Sequence, residues 1–339
     1  MKKYLAILSI IASANAFAGS IDYLAQQDAE YFAHPSMIGK VGVSGAFYNP
    51  AGTVFLEDGL YVQLNSQTLF KNYEMETRLP GTDKLSHKSD HPSAFVPSMQ
   101  IVKKEGDRAY FLHTGAAAGG GTVKYGNGIS AFEVIGQGIQ AGLRKKAGGQ
   151  LFPNAEVDYL GGSTVNGSSY YINTTFGMAQ KVNSKFSVAG GVRVIYAMRE
   201  LDGTAHFELD TKNPKLFEKL GGKEKGNIDV NIDSERTGWG VGGVVGFNYQ
   251  PTERLNIGFK YESEIELNLK ADGDLKTNKV GVISGDLTTD KIIVNRIDGS
   301  LRKEPVISEW LENDRRNLPA VMALGVSYEL TDRITLLSS

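Results

Sequence analysis

Apolar and polar residues alternate singly over long stretches of this chain. Leu255, Ile257, Phe259 and Tyr261 interleave with Asn256, Gly258, Lys260 and Glu262, and the alternation continues through Ile265, Leu267 and Leu269 against Glu264, Glu266, Asn268 and Lys270. Phe186, Val188, Val192, Val194, Tyr196 and Met198 share one face of a second stretch, with Lys185, Ser187 and Arg193 on the other. Trp239, Val241, Val245, Phe247 and Tyr249 form a third stripe, and Met322, Leu324, Val326, Tyr328 and Leu330 a fourth. A period of two is the side-chain period of a strand, and helical spacing fits none of these runs. The pattern predicts about nine strands, near 60–70, 94–102, 108–117, 169–181, 185–198, 236–249, 254–270, 319–330 and from 333 onward.

Connection lengths alternate as well. Short turns are expected at 103–107, 182–184, 250–253 and 331–332, and long connections at 71–93, 118–168, 199–235 and 271–318. Short turns at one end and long loops at the other characterise an outer-membrane barrel, and a soluble sandwich has no reason to sort its loops this way. Tyr170, Tyr171, Tyr196, Tyr249, Tyr261 and Tyr328 lie where interfacial aromatic girdles would sit. The pattern therefore predicts an all-β fold, a transmembrane antiparallel β-barrel.

The N-terminus agrees with export. Lys2 and Lys3 precede an apolar run from Tyr4 to Ala14, and Ala16-Phe17-Ala18 reads as a cleavage site. The run is shorter than the roughly 20 residues of a spanning helix, so residues 1–18 are expected to be a signal peptide. No later apolar run reaches spanning length, and a membrane protein without spanning helices must close a barrel. The chain has 339 residues, no cysteine and a net charge of -2. Disulfides and thiolate metal sites are excluded, and no nucleic-acid partner is expected.

Residues 129–146 are the most helix-like part of the chain beyond the leader. Phe132, Ile135, Ile139 and Leu143 recur at spacings of three and four, and the stretch ends in Arg144-Lys145-Lys146. An apolar stripe with terminal cations suits a ligand with a hydrophobic tail and a carboxylate. The same stripe also suits a loop helix packed on its own loop, and the basic triplet suits lipopolysaccharide phosphates. The glycines at 115–121 lack the ending of a phosphate loop, and in a strand they mark a bulge or bend. Gly238, Gly240 and Gly243 spell G-x-G-x-x-G, but no helix follows. Gly238, Gly240, Gly242 and Gly246 instead leave one strand face bare, which should point inward where other backbone or ligand can approach. His87 and His91 have no helical frame to hold a metal. Asp229, Asn231 and Asp233 read as a small strand in a loop, with a calcium site a weak alternative. No catalytic constellation, cofactor site or metal site is expected.

Three stretches carry a family resemblance. They are Asn49-Pro50-Ala51-Gly52 after the Gly/Ala-rich 42–46; Gly238-Trp239-Gly240 through 249–255 to Tyr261-Glu262-Ser263-Glu264; and Leu318-Pro319-Ala320 followed by Leu324-Gly325-Val326-Ser327-Tyr328 and Leu330-Thr331-Asp332-Arg333. Together they resemble the outer-membrane transporters of long-chain fatty acids and aromatic hydrocarbons, the FadL type. The resemblance implies a 14-stranded barrel with an N-terminal hatch inside the lumen, so that 19–58 would be the hatch, with Asn49, Pro50, Ala51 and Gly52 in it, and 59–339 the barrel. It implies capture of a hydrophobic ligand on the outer loops, passage to a lumen pocket and lateral release into the bilayer. The ligand-binding candidates are Phe132, Ile135, Ile139, Leu143, Arg144 and Lys145. Expected partners are long-chain fatty acids or other hydrophobic small molecules, with outer-membrane lipid and lipopolysaccharide around a monomer. The alternative is a general diffusion porin or a surface-interaction barrel, which needs no apolar pocket. The family commonly has Arg where this chain has Glu262. The odd strand count and the unfinished strand from Arg333 suggest a chain truncated at its C-terminus.

Overall fold

A computed structural model describes residues 24, 27–70, 72–77, 85–89, 93–145, 153–210, 212, 225–277 and 310–339. The signal peptide expected over 1–18 lies outside the described residues. After a short helix α1 (Ala29–Ala33) and two 3-10 turns (Val43–Ala46 and Pro50–Phe55), the described residues are mostly strand. The strands are β1 (Gly59–Leu69), β2 (Tyr73–Thr77), β3 (Leu85–Ser89), β4 (Ser93–Glu105) and β5 (Arg108–Tyr125). Helix α2 (Ala131–Lys145) follows, then β6 (Glu156–Tyr159), β7 (Thr164–Asn183), β8 (Phe186–Asp210) and β9 (Lys225–Thr252). The last are β10 (Leu255–Glu262), β11 (Asn268–Thr277), β12 (Asp314–Arg315), β13 (Val321–Thr331) and β14 (Ile334–Ser338).

One antiparallel sheet carries the fold in the order β1-β4-β5-β7-β8-β9-β10-β13-β14, with β6, β11 and β12 attached at its outer end. Consecutive strands on this path pair with their sequence neighbours, as an up-and-down barrel requires. Each of the nine expected strands has its counterpart. Two expected long connections are shorter, because β8 and β9 run on as a hairpin to Asp210 and Lys225, and β5 and β7 extend to Tyr125 and Thr164. The extension has a cause. Inward residues Ala205, Phe207, Leu209, Ile228 and Val230 pack against Phe132, Ile135 and Ile139 of α2, giving the outer part its own hydrophobic core. Asp229, Asn231 and Asp233 belong to this extension of β9.

The sheet is rolled. The Phe47 ring lies 4.6 Å from the His113 ring on β5 and 4.1 Å from Lys260 Nζ on β10. Those strands are four neighbours apart, about 19 Å on a flat sheet at 4.8 Å per strand. Both reach one ring only because the sheet wraps around it.

The outward face of β8 is apolar from Phe186 to Met198. Twelve steps of about 3.3 Å at a tilt near 40° make a band about 30 Å tall, the thickness of a hydrocarbon core. Tyr196 and Trp239 pack against each other at its outer limit, with centroids 4.5 Å apart and ring planes tilted by 43°. Tyr171 departs from the girdle expectation, since it turns inward and is buried. Beyond the aromatic pair the outward face becomes acidic. Glu200, Glu235 and Asp272 align across β8, β9 and β11, and Asp202, Asp233 and Asp274 align in a second row.

The strand expected over 254–270 breaks. Leu255, Ile257, Phe259 and Tyr261 face outward, but Ile265, Leu267 and Leu269, of the same parity, are fully buried. Residues 263–269 leave the ladder and cross the bare face of β9. Cβ atoms added at Gly238 and Gly242 would meet Leu269 and Ile265 at 2.8 Å and 2.6 Å. The displaced segment pairs instead with 316–318 through Ile265 N–H to Leu318 O at 3.0 Å and the reciprocal bond at 2.9 Å.

Gly240→Val should therefore expel residues 263–269, because its side chain would collide with Ile265 and with Glu266 O at 2.7 Å. Limited proteolysis should then cut at Lys270 or Arg315. Gly243→Val, whose Cβ meets only Gly191 O at 3.8 Å, should cut like the parent. Equal cleavage of both variants would remove the packing argument.

Candidate functional site

Inside the outer end lies a pocket of ≈ 530 Å³, within the range of small-molecule sites. Phe132, Ile135, Val230, Ile232, Leu275 and Trp310 are among the apolar side chains that wall it. Its charged lining residues are Arg199 and Glu200. The Glu200 carboxylate accepts from Ser168 at 2.8 Å, whereas Arg199 sits on the inward face of β8.

Arg199 belongs to a clamp. Its guanidinium lies 4.8 Å from the Trp310 ring, and that of Arg236 lies 4.9 Å from the same ring. Asp314 Oδ2 accepts from Arg199 Nη1 at 3.4 Å, Arg236 Nη1 at 3.2 Å and Arg316 Nε at 2.5 Å. Stacking on an indole and sharing one carboxylate tie residues 310–316 to β8 and β9. Below the pocket, Ile265, Leu267, Leu269 and Leu318 form an apolar layer packed against Ala117, Tyr171 and Ile195.

Beneath that apolar floor the lumen is polar. Glu262 accepts from Lys260 at 2.9 Å and pairs with Arg193 at 3.1 Å, and all three are buried. Arg193 reaches Glu262 across β9 at its bare glycine positions. Lys260 Nζ also donates to Phe47 O at 2.8 Å. The N-terminal segment is built into this zone. Asn49 caps the 3-10 turn by accepting from Gly52 N at 3.1 Å, and its amide donates to Asn248 Oδ1 at 2.7 Å. Asn256 donates to Asn248 Oδ1 at 3.0 Å and to Gly39 O at 2.7 Å. Ser187 donates to Ala51 O at 2.6 Å. Pro50 lies 3.3 Å from where a Cβ of Gly246 would be, so the fourth bare position on β9 receives this segment's turn.

The wall is interrupted at β5. It pairs with β4 only up to Thr114, and its register with β7 slips between Ala116 and Gly121. The freed carbonyls of Ala116 and Ala117 accept from Gln27 Nε2 at 2.7 Å and Leu24 N at 2.8 Å. Gly119 and Gly121 adopt φ +106° and +68°, which only glycine takes easily. At the sheet's outer end, beyond the membrane band, Lys212 is held above the usual lysine pKa by Asp210 and then Glu156.

Of the sequence-predicted residues, Asn49, Pro50, Ala51 and Gly52 come together against β8 and β9. Phe132 and Ile135 line the pocket. Ile139 is 0% exposed in the core behind it. Arg144 donates to Ala155 O at 2.7 Å. Leu143 and Lys145 lie on the last turn of α2, and their side chains fall outside the described residues. His87 is buried in β3, while His91 lies outside the described residues. Among the described residues no group of His, Asp or Glu is arranged to hold a metal ion. Sequence reasoning missed Arg199, Trp310 and Asp314. The only signal for them was an inward-parity Arg followed by polar outward residues.

Asn248→Leu should destabilise the assembly by about 1–3 kcal/mol, because Asn256 Oδ1 loses its donor and Asn49 loses its closest acceptor in a buried site. A lower temperature for loss of the fast-migrating folded form in unheated gel samples would show it. An unchanged temperature would show that the asparagine network is dispensable.

No curated protein sequence matches the chain. Among solved structures, a Pseudomonas aeruginosa FadL homologue is 17% identical with a TM-score of 0.49, over 93% of this chain and 68% of that one. The P. putida toluene transporter TodX is 13% identical with a TM-score of 0.46, over 88% and 65%. The CymD monoaromatic hydrocarbon channel is 14% identical with a TM-score of 0.44, over 88% and 63%. The chain thus spans about two thirds of the length of these structures. Residues 158–338 match the family model described as outer membrane protein transport protein (OMPP1/FadL/TodX). That match covers more than half of the 339 residues, and the chain belongs to this outer-membrane transport family.

Proposed function

We propose that this protein moves hydrophobic small molecules, long-chain fatty acids in particular, across the outer membrane of a Gram-negative bacterium. The observation that carries the reading is the pocket beneath α2. It is walled by apolar side chains, and Arg199 is the cation at its edge. A general diffusion porin needs a water-filled channel lined by opposed charges. Here the level below the pocket is occupied by Ile265, Leu267, Leu269 and Leu318. Arg199 favours a carboxylate-bearing ligand over a neutral hydrocarbon, since a guanidinium binds a carboxylate with two parallel hydrogen bonds.

In this reading a ligand is caught against Phe132 and Ile135, with its head group toward Arg199. The segment 24–56 acts as the hatch that closes the lumen below. Release is lateral, through the interruption in β5 between Gly115 and Gly121, where Leu24 and Gln27 occupy the opening. Asn49-Pro50-Ala51-Gly52 is the rigid turn about which the hatch rearranges.

Ile135→Asp should lower oleate uptake by about tenfold at equal surface amount, because a carboxylate replaces roughly 1–3 kcal/mol of apolar contact. Ile139→Asp should instead destabilise the outer core, since that side chain packs behind the pocket. Arg199→Leu should reduce oleate uptake and spare toluene uptake. If Ile135→Asp transports like the parent, the capture site is elsewhere. If Arg199→Leu affects both ligands equally, the carboxylate preference is wrong.

A further inference from the structure

Three buried side chains on adjacent strands share a property that the transport reading leaves unused. His113 on β5, Asn173 on β7 and Arg193 on β8 are 0%, 1% and 1% exposed. Thr175 lies opposite His113 on one side and Arg193 on the other, and Asn173 is one inward position further out along β7. Diagonal inward neighbours on adjacent strands stand about 7–8 Å apart, so Asn173 lies between His113 and Arg193, which are two strands apart at about 10 Å, and the three line one patch of lumen wall.

Each presents a donor that meets no acceptor among the described residues. The amide of Gln100 is oriented by its partners: its oxygen accepts from Asn65 at 2.8 Å and its nitrogen donates to Gln27 O at 3.3 Å. That nitrogen also meets His113 Nδ1 at 3.4 Å, which makes Nδ1 the acceptor and leaves the imidazole proton on Nε2. His113 Nε2 has no partner. The Asn173 oxygen accepts from Thr175 at 3.2 Å, while Nδ2 has no partner. Arg193 spends Nη1 on Glu262, and its Nε has no partner. Buried donors are satisfied in nearly all folded proteins, and each one left alone costs about 1–3 kcal/mol. The charge points the same way, since Arg193 and Lys260 converge on the carboxylate of Glu262.

We propose that His113 Nε2, Asn173 Nδ2 and Arg193 Nε form an anion-binding site in the lumen wall that accepts a carboxylate or a small inorganic anion. Its position gives it a use. Asn173 is paired with Gly115, where the interruption of β5 begins, and Gln27 of the plugging segment lies against Gly115. A carboxylate held there stands beside the opening. This use rests on the transport reading, whereas the anion site itself does not.

Crystals of the full chain soaked in sodium bromide, and others soaked in 2-bromohexadecanoate, test the site by anomalous scattering from bromine. A peak within reach of the three donors in either soak supports it. Bromide alone identifies a free anion as the occupant, and the bromo-acid alone identifies a ligand head group. No peak in either soak overturns the proposal. Asn173→Asp supplies a carboxylate from the protein and should reduce bromide occupancy by about tenfold while keeping or raising heat stability. Asn173→Leu should also empty the site, and it controls for charge. A peak that persists in both variants overturns the proposal. Unchanged oleate uptake in Asn173→Asp would count against the transport link and leave the anion site standing.

Discussion

The bare inward face of β9 sets what the lumen can hold. Side chains standing inward from a sheet keep other backbone at a distance, and a strand without them admits it to contact. Gly238, Gly240 and Gly242 let 263–269 cross against the strand, and Gly246 admits Pro50. The same bare positions let the Arg193 side chain pass over β9 to Glu262. The pocket floor, the buried charge cluster and the seat of the N-terminal turn therefore all depend on where one strand lacks Cβ atoms. The gain is compactness, at a conformational-entropy cost that glycine carries in any strand.

The result is a lumen divided by depth. An apolar chamber lies under α2, an apolar floor of infolded backbone lies below it, and a polar zone containing Asn49, Asn248, Asn256, Lys260 and Glu262 lies lower still. Charged groups in the polar zone are tolerable because they are paired and also bonded to backbone. Lys260 shows this, donating to both Glu262 and the carbonyl of Phe47. One residue thereby joins the wall charge cluster to the N-terminal segment.

Strand positions were legible in the sequence because a period of two reports which residues share a face. It does not report which face that is. Ile265, Leu267 and Leu269 continue the parity of Tyr261, yet they lie inside, because the chain leaves the ladder at Ser263 and so presents the other side. The cause lies far along the chain, in the pairing of Ile265 with Leu318 and of Leu267 with Arg316, and no local pattern encodes it. The bare face of β9 was legible as a place for close approach. Its main occupant, the chain's own 263–269, was not. The helical stripe of α2 put Phe132, Ile135 and Ile139 on one face but could not separate the two that line the cavity from Ile139, which packs behind it. Arg199, Trp310 and Asp314 come from three distant stretches and meet only in the fold. Outward orientation of the tyrosines was readable from strand parity, and Tyr171, on the other parity, turns into the lumen.

The acidic rows above Tyr196 and Trp239 have a mechanical consequence. Carboxylates directly opposite one another on neighbouring strands repel, and in hydrocarbon each would also lose its hydration. Rows of Glu200, Glu235, Asp272 and of Asp202, Asp233, Asp274 are tolerable only in water. They act as a depth stop. Vertical slippage of the wall into the bilayer would bury the lower row first, so the molecule's height is held from above by charge and from below by the short turns.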